Sequence, residues 1–254
     1  LLTLPGIRGG PGPGAPVLPS LSAAQRLSQA DVLIWTDSLV CPALADRVPA
    51  HCERIRTSTL TLEDVIPLLV DRQRAGQRVV RLHDGDTALY SAINEQICAL
   101  ADADIPVDVV PGLSAYQAAA AGLSAELTIP GVVQTIVLGR AGGRTGVPEK
   151  EDLSRLAALQ ASLCLYLSAR HVEEVQRTLL EHYPPETPVA IGYRVSWPDQ
   201  LLKIVPLTDM ASFSQSHDLI RTTLYLISPA LARSPQRSKL YSPDHDHPSR
   251  PRRP

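Results

Sequence analysis

Short apolar runs alternate with segments of helical periodicity through the first half of the chain, and this alternation most constrains the fold. Asp31–Trp35, Arg78–Leu82 and Val107–Val110 have the composition of buried strands. Apolar residues at helical spacing occupy Ser20–Ala30 and the segment from Thr61 to Gly76. Because parallel strands need a crossover helix between them, this order predicts an α/β fold with a parallel sheet.

Local signals refine two of the predicted helices. Thr61 and Asp64 resemble a capping box, and Gly76 can end that helix in a left-handed conformation. Pro67 lies inside the same segment, so we expect it to kink or shorten the helix. A further helix is predicted from about Leu89 to Ala101.

The second half of the chain has a different pattern, which predicts a mixed sheet with partly antiparallel strands. The predicted strands are Gln134–Leu138, Leu163–Leu167, Val189–Tyr193, Leu201–Val205 and Thr223–Ile227. Helices are predicted at Glu151–Gln160 and Val172–His182. We therefore predict an N-terminal α/β domain at residues 1–122, a C-terminal α/β domain at 123–232 and a disordered tail at 233–254.

Charge and composition exclude several classes of function. The formal net charge of -2 provides no field for nucleic acid, and no apolar run approaches the roughly 18 residues of a membrane span. The four cysteines are scattered and no signal peptide is evident, which predicts reduced thiols in a cytoplasmic protein. His245 and His247 lie in the polar tail and are expected to be solvated, so no metal site is predicted.

The segment His83–Thr87 follows the predicted strand Arg78–Leu82 directly. Ligand sites of α/β sheets gather at the carboxyl ends of strands. Gly85 lets the backbone approach a bound molecule, while Asp84 and Asp86 favour a ligand with positive charge or hydroxyl donors. The alternative is an ordinary strand-to-helix loop with an aspartate cap.

Two other strand ends carry polar residues. Asp37 and Ser38 follow the strand Asp31–Trp35 and either face a cleft or cap the next turn. Gly112 and Ser114 match part of a hydrolase nucleophile elbow, but Tyr116 occupies the position of its second glycine and would crowd the turn. A serine that caps the following helix fits better, and it is compatible with a ligand-contacting loop.

Several short motifs in one order resemble those of the S-adenosylmethionine-dependent tetrapyrrole methylase family. They are Gly10–Pro16, Ala30–Val32, Asp37–Val40, Arg81–Asp86, Val110–Gly112, Glu126–Pro130, Arg140–Thr145 and Tyr193–Pro198. The motifs at Asp37, Arg140 and Tyr193 are most similar to the precorrin-4 C11-methyltransferase group. The resemblance implies two α/β domains with the active site in a trough between them, a homodimer, and methylation of C11 of precorrin-4 or its cobalt form.

The same resemblance implies roles for individual residues. The cofactor contacts that it implies are Pro13, Gly85, Asp86, Ser114, Ala115, Leu167 and Val195. The candidates for binding the tetrapyrrole and its carboxylates are Ser38, Arg81, Arg140, Arg144 and Arg194. His83 or Asp37 is the candidate for proton transfer. No metal is expected, because a sulfonium already activates its methyl group.

The chain departs from the family pattern at three positions near these motifs. Val17 replaces an acidic residue, Pro19 interrupts the start of a helix, and Thr87 replaces the proline of a Gly-Asp-Pro loop. Thr87 is expected to make that turn less rigid and to weaken cofactor preorganisation. Two alternatives to an active methylase follow: a decayed member that binds cofactor or tetrapyrrole without turnover, and a serine hydrolase that uses Ser114.

Overall fold

Two five-stranded sheets form the framework of the chain. The computed structural model describes residues 2–3, 18–142, 146–232, 238 and 242. Pro13, Arg144 and the tail beyond residue 232, except for Ser238 and Ser242, lie outside the described residues. The predictions for those positions therefore rest on the sequence alone.

Strands and α-helices alternate along the described chain, except that the ninth strand follows the eighth directly. The strands are β1 (Leu2–Thr3), β2 (Val32–Trp35), β3 (Glu53–Arg56), β4 (Val79–Leu82), β5 (Asp108–Val109), β6 (Ile136–Arg140), β7 (Ser162–Tyr166), β8 (Pro188–Tyr193), β9 (Leu201–Pro206) and β10 (Thr223–Ile227). The helices are α1 (Leu21–Ser28), α2 (Pro42–Ala45), α3 (Leu62–Arg74), α4 (Ile93–Asp102), α5 (Ala115–Gly122), α6 (Leu153–Ala157), α7 (Val172–Leu180) and α8 (Met210–Ser216).

The first sheet has the order β3-β2-β4-β1-β5. β2 pairs in parallel with both β3 and β4, which confirms the parallel sheet predicted from the alternation. β1, a strand of two residues, is antiparallel to β4 and to β5, so the sheet is not purely parallel. Because β4 and β5 both oppose β1, the carboxyl ends of β2, β4 and β5 lie at the same edge.

Side chains of β4 alternate between two apolar layers. Val80 and Leu82 belong to a cluster that contains Leu27 of α1, whereas Val79 belongs to a cluster that contains Leu69 of α3. All five side chains are at most 1% exposed. Full burial of an aliphatic side chain contributes roughly 1.5–3 kcal/mol, so helices on both faces fix the position of β4 and of the loop that follows it.

The second sheet has the order β6-β7-β10-β8-β9 and is mixed, as predicted. β6 and β7 are parallel, while β10 is antiparallel to β7 and β8. Tyr225 of β10 is completely buried at the centre and donates its hydroxyl to Oγ of Ser214 at 3.0 Å. A buried phenol needs such an acceptor, so this hydrogen bond ties α8 to the middle of the sheet.

The described residues divide into two compact units. The first contains the described residues up to Ala119 together with Arg194–Gln200, and the second contains Ala120–Tyr193 and the described residues from Leu201 onward. The domain limits at residues 1–122 and 123–232 and the disordered tail at 233–254 stay a prediction.

The predicted helix from Leu89 was wrong at its start. Tyr90 and Ala92 have positive φ angles of 55° and 49°, and α4 begins only at Ile93. A left-handed residue cannot continue a right-handed helix, and the apolar spacing in the sequence does not reveal it. The predicted helix Glu151–Gln160 is also too long, because α6 spans Leu153–Ala157 and Gln160 has a φ of 50°.

Sequence reasoning missed three elements. Strand β3 carries three charged residues at the exposed edge of the first sheet, so it lacks the apolar pattern of a buried strand. Helix α2 has only four residues, which is too short for a periodic pattern. Helix α8 was also missed, because its seven residues were not recognised as helical from the spacing of their apolar side chains.

The ends of α3 agree with the sequence prediction. The hydroxyl and backbone of Thr61 form the predicted capping box with Asp64. At the other end, the amide of Gly76 donates to the carbonyl of Gln73, the amide of Gln77 donates to that of Arg72, and Gly76 has a φ of 76°. The helix runs for 13 residues through Pro67, so the expected shortening was wrong.

We predict that Gly76→Ala lowers the free energy of unfolding by about 1 kcal/mol, because an L side chain is strained at this φ. The added methyl group would meet no atom within 4 Å, so no steric clash contributes to the loss. Gly146→Ala is the control, since it also adds a methyl group in open space but without a positive φ. Urea unfolding of both variants checks the prediction, and equal effects would contradict it.

Candidate functional site

Three loops of the first unit leave the same edge of its sheet. They follow β2, β4 and β5 and contain the predicted residues Asp37, Gly85 and Ser114. The loop after β3 joins them, because β3 is parallel to β2. The topology therefore brings together, at one edge, residues that are almost 80 positions apart in sequence.

Gly85 brings the loop after β4 close to the loop after β5. Its φ is 55°, and a methyl group at this position would lie 3.9 Å from the backbone oxygen of Leu113. The neighbouring Asp86 accepts the amide of Ala88 at its Oδ1, at 3.0 Å, and so closes a turn. Oγ of Ser91 donates to the carbonyl oxygens of Asp86 and Leu89, each at 3.2 Å. These contacts fix the shape of the turn after β4, and Gly85 leaves its backbone groups uncovered by a side chain.

Arg81 is a buried cation behind this loop, with only 6% of its surface exposed. Its guanidinium donates to Oε1 of Gln96 at 3.3 Å, to Oγ1 of Thr36 at 3.2 Å and to the carbonyl of Ile34 at 3.4 Å. Among the described side chains, no carboxylate forms an ion pair with it. Burial lowers the pKa of Arg81 to about 10, which leaves it charged at neutral pH.

His83 lies on the same strand end and is 4% exposed. Its Nε2 is buried and has no hydrogen-bond partner among the described residues. Burial, assisted by the positive charge of Arg81, lowers the pKa of His83 to about 2. The imidazole is therefore neutral at physiological pH and suits hydrogen bonding better than it suits accepting a proton.

Asp37 connects the loop after β2 to the loop after β3. One carboxylate oxygen accepts the amide of Ser58 and the other accepts its hydroxyl, both at 2.9 Å. Burial alone would raise the pKa of Asp37, but the hydrogen bonds from Ser58 outweigh it and lower the pKa. Both oxygens are thus engaged by protein groups, while the adjacent Ser38 is exposed and accessible to a ligand.

Ser114 immediately precedes α5, and Ala115 is the first residue of that helix. The amide of Ser114 donates to Oε1 of Gln117 at 2.8 Å, and its carbonyl accepts the amides of Gln117 and Ala118. These bonds are those of a residue at a helix start. Only 2% of Ser114 is exposed, whereas a nucleophile elbow presents its hydroxyl openly.

The segment between β8 and β9 contains the predicted residues Arg194 and Val195. Arg194 forms an ion pair with Asp199, and its guanidinium carbon lies 4.5 Å from the centre of the Trp197 ring. Both contacts fix the direction of the guanidinium. Val195 is 6% exposed, so it leaves little side-chain surface to a ligand.

Two predicted residues lie in the second unit. Leu167 directly follows β7, has a φ of 54° and is 67% exposed. A leucine with both properties is strained and unpacked, which is typical of a residue that contacts a ligand. Arg140 ends β6 and donates to the carbonyl of Gly146 at 2.6 Å, so it also orders the start of the chain after the undescribed residues 143–145.

Sequence reasoning missed Gln96 and Thr36, the two side chains that accept from Arg81. The available signal was a polar residue on the apolar face of α4, four positions before the buried Leu100. Asp84 was recognised only as an acidic neighbour of Gly85. Burial raises the pKa of its carboxyl group, which the sequence did not indicate.

Other features of the described chain are separate from these loops. A groove of about 550 Å³ in the second unit is lined by residues of α7, α8 and their flanking turns, and it includes none of the predicted site residues. No three His, Cys, Asp or Glu side chains are grouped for metal binding within the described ranges. No described helix has the length and apolar character needed to cross a membrane.

Comparison with known proteins gives one consistent result. Residues 10–211 match the family model of the tetrapyrrole (corrin/porphyrin) methylases. The chain is 39% identical to precorrin-4 C(11)-methyltransferase of Pseudomonas aeruginosa, over 95% of this chain and 97% of that protein. It is 35% identical to cobalt-precorrin-4 C(11)-methyltransferase of Priestia megaterium, over 94% of each.

A solved structure agrees with these relatives. The X-ray structure of a cobalamin biosynthetic enzyme, cobalt precorrin-4 methyltransferase, superimposes with a TM-score of 0.86 at 35% identity. The match covers 89% of this chain and 95% of that protein. The described sheets and helices therefore follow an experimentally known arrangement.

We predict that His83 makes stability depend on pH on the acid side of neutrality. Because its pKa is lowered on folding, only the unfolded state gains the proton as the pH falls below the ordinary histidine value, and stability is lost. Between about pH 7.5 and about pH 5 this contributes a loss of about 2 kcal/mol. Urea unfolding at both pH values should show a smaller loss in His83→Leu than in the unsubstituted chain. Equal losses would contradict the prediction.

Proposed function

The chain belongs to the tetrapyrrole (corrin/porphyrin) methylases, and we propose that it methylates C11 of precorrin-4 or cobalt-precorrin-4 with S-adenosylmethionine as the methyl donor. The observation that carries this proposal is 35–39% identity to enzymes of that specificity over more than nine-tenths of both chains. The family model spans residues 10–211, a range that contains the loops after β2, β4 and β5.

The residues of the carboxyl edge fit such a cofactor. Bound S-adenosylmethionine supplies a methyl group that is already activated by its sulfonium, so the protein must align the reactants and exclude water. The left-handed φ of Gly85 disfavours a side chain at this point of the turn, and Asp86 and Ser91 fix the shape of that turn. Gly85, Asp86, Ser114 and Ala115 are our candidates for lining the cofactor in the first unit, and Leu167 is the candidate in the second.

Arginines and exposed hydroxyl groups are the candidates for binding the tetrapyrrole. A guanidinium binds a carboxylate through two parallel hydrogen bonds, and it does so most strongly where its direction is already fixed. Arg194 meets that condition through Asp199 and Trp197, and Arg140 meets it through Gly146. Ser38 is exposed and is a further candidate for binding the tetrapyrrole. Pro13 and Arg144 remain candidates from the sequence alone.

The two candidates for proton transfer differ in what they offer. Asp37 uses both oxygens to bind Ser58, which supports a role in fixing two loops of the carboxyl edge. His83 keeps a buried Nε2 without a described partner, which supports a hydrogen bond to a ligand. We propose that the neutral His83 orients a ligand group and that Asp37 fixes the loop beside it.

The proposed activity is tested by mass analysis of precorrin-4 and of cobalt-precorrin-4 after incubation with the protein and S-adenosylmethionine. We expect a single added methyl group at C11, located by NMR with a labelled donor. Calorimetry with S-adenosylhomocysteine on the same preparation separates two ways of failing. Binding of S-adenosylhomocysteine without methyl transfer would indicate a decayed member. Folded protein that neither binds S-adenosylhomocysteine nor transfers a methyl group would contradict the proposal.

We predict that Gly85→Ala weakens binding of S-adenosylmethionine about five- to tenfold, because a side chain at this φ displaces the loop that lines the cofactor. Gly76→Ala is the matched control, since it has the same kind of backbone strain at the end of α3 and outside the site loops. Calorimetric titration of both variants checks the difference. Unchanged affinity in Gly85→Ala would remove this loop from the cofactor site.

We propose that the protein is a cytoplasmic homodimer, as the family resemblance implies. The four cysteines are free thiols, which is compatible with a reducing compartment. We expect light scattering to give twice the 27.4 kDa mass of one chain. A mass of one chain at micromolar concentration would contradict the dimer without affecting the proposed chemistry.

A further inference from the structure

We propose that Gln96 is a positioning residue that fixes the loop Asp84–Ala92 for cofactor binding. The inference deepens the proposed function and rests on it for the identity of the ligand. The residue itself has no place among the family motifs quoted above. Its role follows from three groups of contacts within the first unit.

Gln96 is the acceptor for one side of the buried Arg81. Its Oε1 accepts from Nε of Arg81 at 3.3 Å, while the guanidinium also reaches Thr36 in the loop after β2. Gln96 and Arg81 are 5% and 6% exposed, so water cannot readily replace a lost partner. One buried cation on β4 therefore links the loop after β2 to α4, and Gln96 is its partner on α4.

The other end of the same amide fixes the backbone of Ala92. Nε2 of Gln96 donates to the carbonyl of Ala92 at 3.0 Å. Ala92 has a φ of 49°, and Tyr90 two positions earlier has a φ of 55°. Neither residue is a glycine or an asparagine, so both conformations are unfavourable unless surrounding contacts impose them.

The strained residues Tyr90 and Ala92 lie next to the turn that is proposed to bind the cofactor. Ala92 directly precedes α4, and the turn that includes Gly85 and Asp86 begins only a few residues before it. Ser91 bonds back to the carbonyl of Asp86, so the two parts of the loop are connected. If the amide of Gln96 were lost, Ala92 could relax to a right-handed conformation and the turn would shift with it.

The first test compares Gln96→Met with Asn94→Met. Methionine matches the size of glutamine but lacks both hydrogen bonds, and Asn94 is an exposed position of the same helix. For Gln96→Met we expect backbone amides of residues 86–92 to exchange about tenfold faster and the Kd for S-adenosylhomocysteine to rise about fivefold. At saturating substrates, kcat should change less than about twofold, because the reacting groups are untouched. Asn94→Met should leave all three quantities unchanged.

The second test uses two further variants to separate the two hydrogen bonds of Gln96. Gln96→Glu keeps an acceptor for Arg81 but removes the donor to Ala92, so the loop amides should still exchange faster. The other variant is a rescue, which a merely structural role of Gln96 would not show. Adding Ala92→Gly to Gln96→Met removes the side-chain penalty for positive φ, and the Kd should return to within about twofold of the original value. Failure of this rescue, or unchanged loop exchange in folded Gln96→Met, would overturn the inference.

The binding measurement also separates this inference from the proposed function. If the unsubstituted protein bound no S-adenosylhomocysteine, the methylase proposal would fail and the inference for cofactor binding would fail with it. If the unsubstituted protein bound the ligand and Gln96→Met bound it equally well, only the inference would be overturned.

Discussion

Burial of the Arg81 guanidinium at the end of β4 is the interaction on which the carboxyl edge depends. An arginine that is 6% exposed must find hydrogen-bond acceptors inside the protein. It finds them on β2, on the loop that directly follows β2, and on α4 much later in the chain. Each of these elements is fixed by the need to satisfy the same cation.

The charge of Arg81 also determines the chemistry of its surroundings. It combines with burial to keep His83 neutral, and it attracts the partly buried Asp84, whose pKa burial raises. A positive group behind the loop and carboxylates within it create a polarised site in a region of low dielectric constant. Such a site can orient a ligand that carries both an ammonium and a carboxylate.

The sequence predicted most of the fold because apolar periodicity is strong in buried elements. Strands β2, β4 and β10 were located within one residue, since all of their side chains are buried. Strand β3 was missed because an edge strand can carry charges, and the start of α4 was misplaced because left-handed alanine and tyrosine leave no compositional signal. The site loops were located from glycine and aspartate, but the Arg81–Gln96 contact joins residues whose meeting depends on tertiary packing.

The departure at Thr87 can be understood from these contacts. A proline would restrict the turn through its ring, whereas Thr87 leaves the backbone free and is itself 3% exposed. In this chain, side chains restrict the loop instead: Asp86 accepts from Ala88, Ser91 donates to Asp86, and Gln96 donates to Ala92. Each bond contributes only about 1 kcal/mol, so the three together offset the entropy that one proline would remove. Preorganisation of the loop is thus distributed over several hydrogen bonds, and this explains why a threonine at position 87 is compatible with an ordered turn.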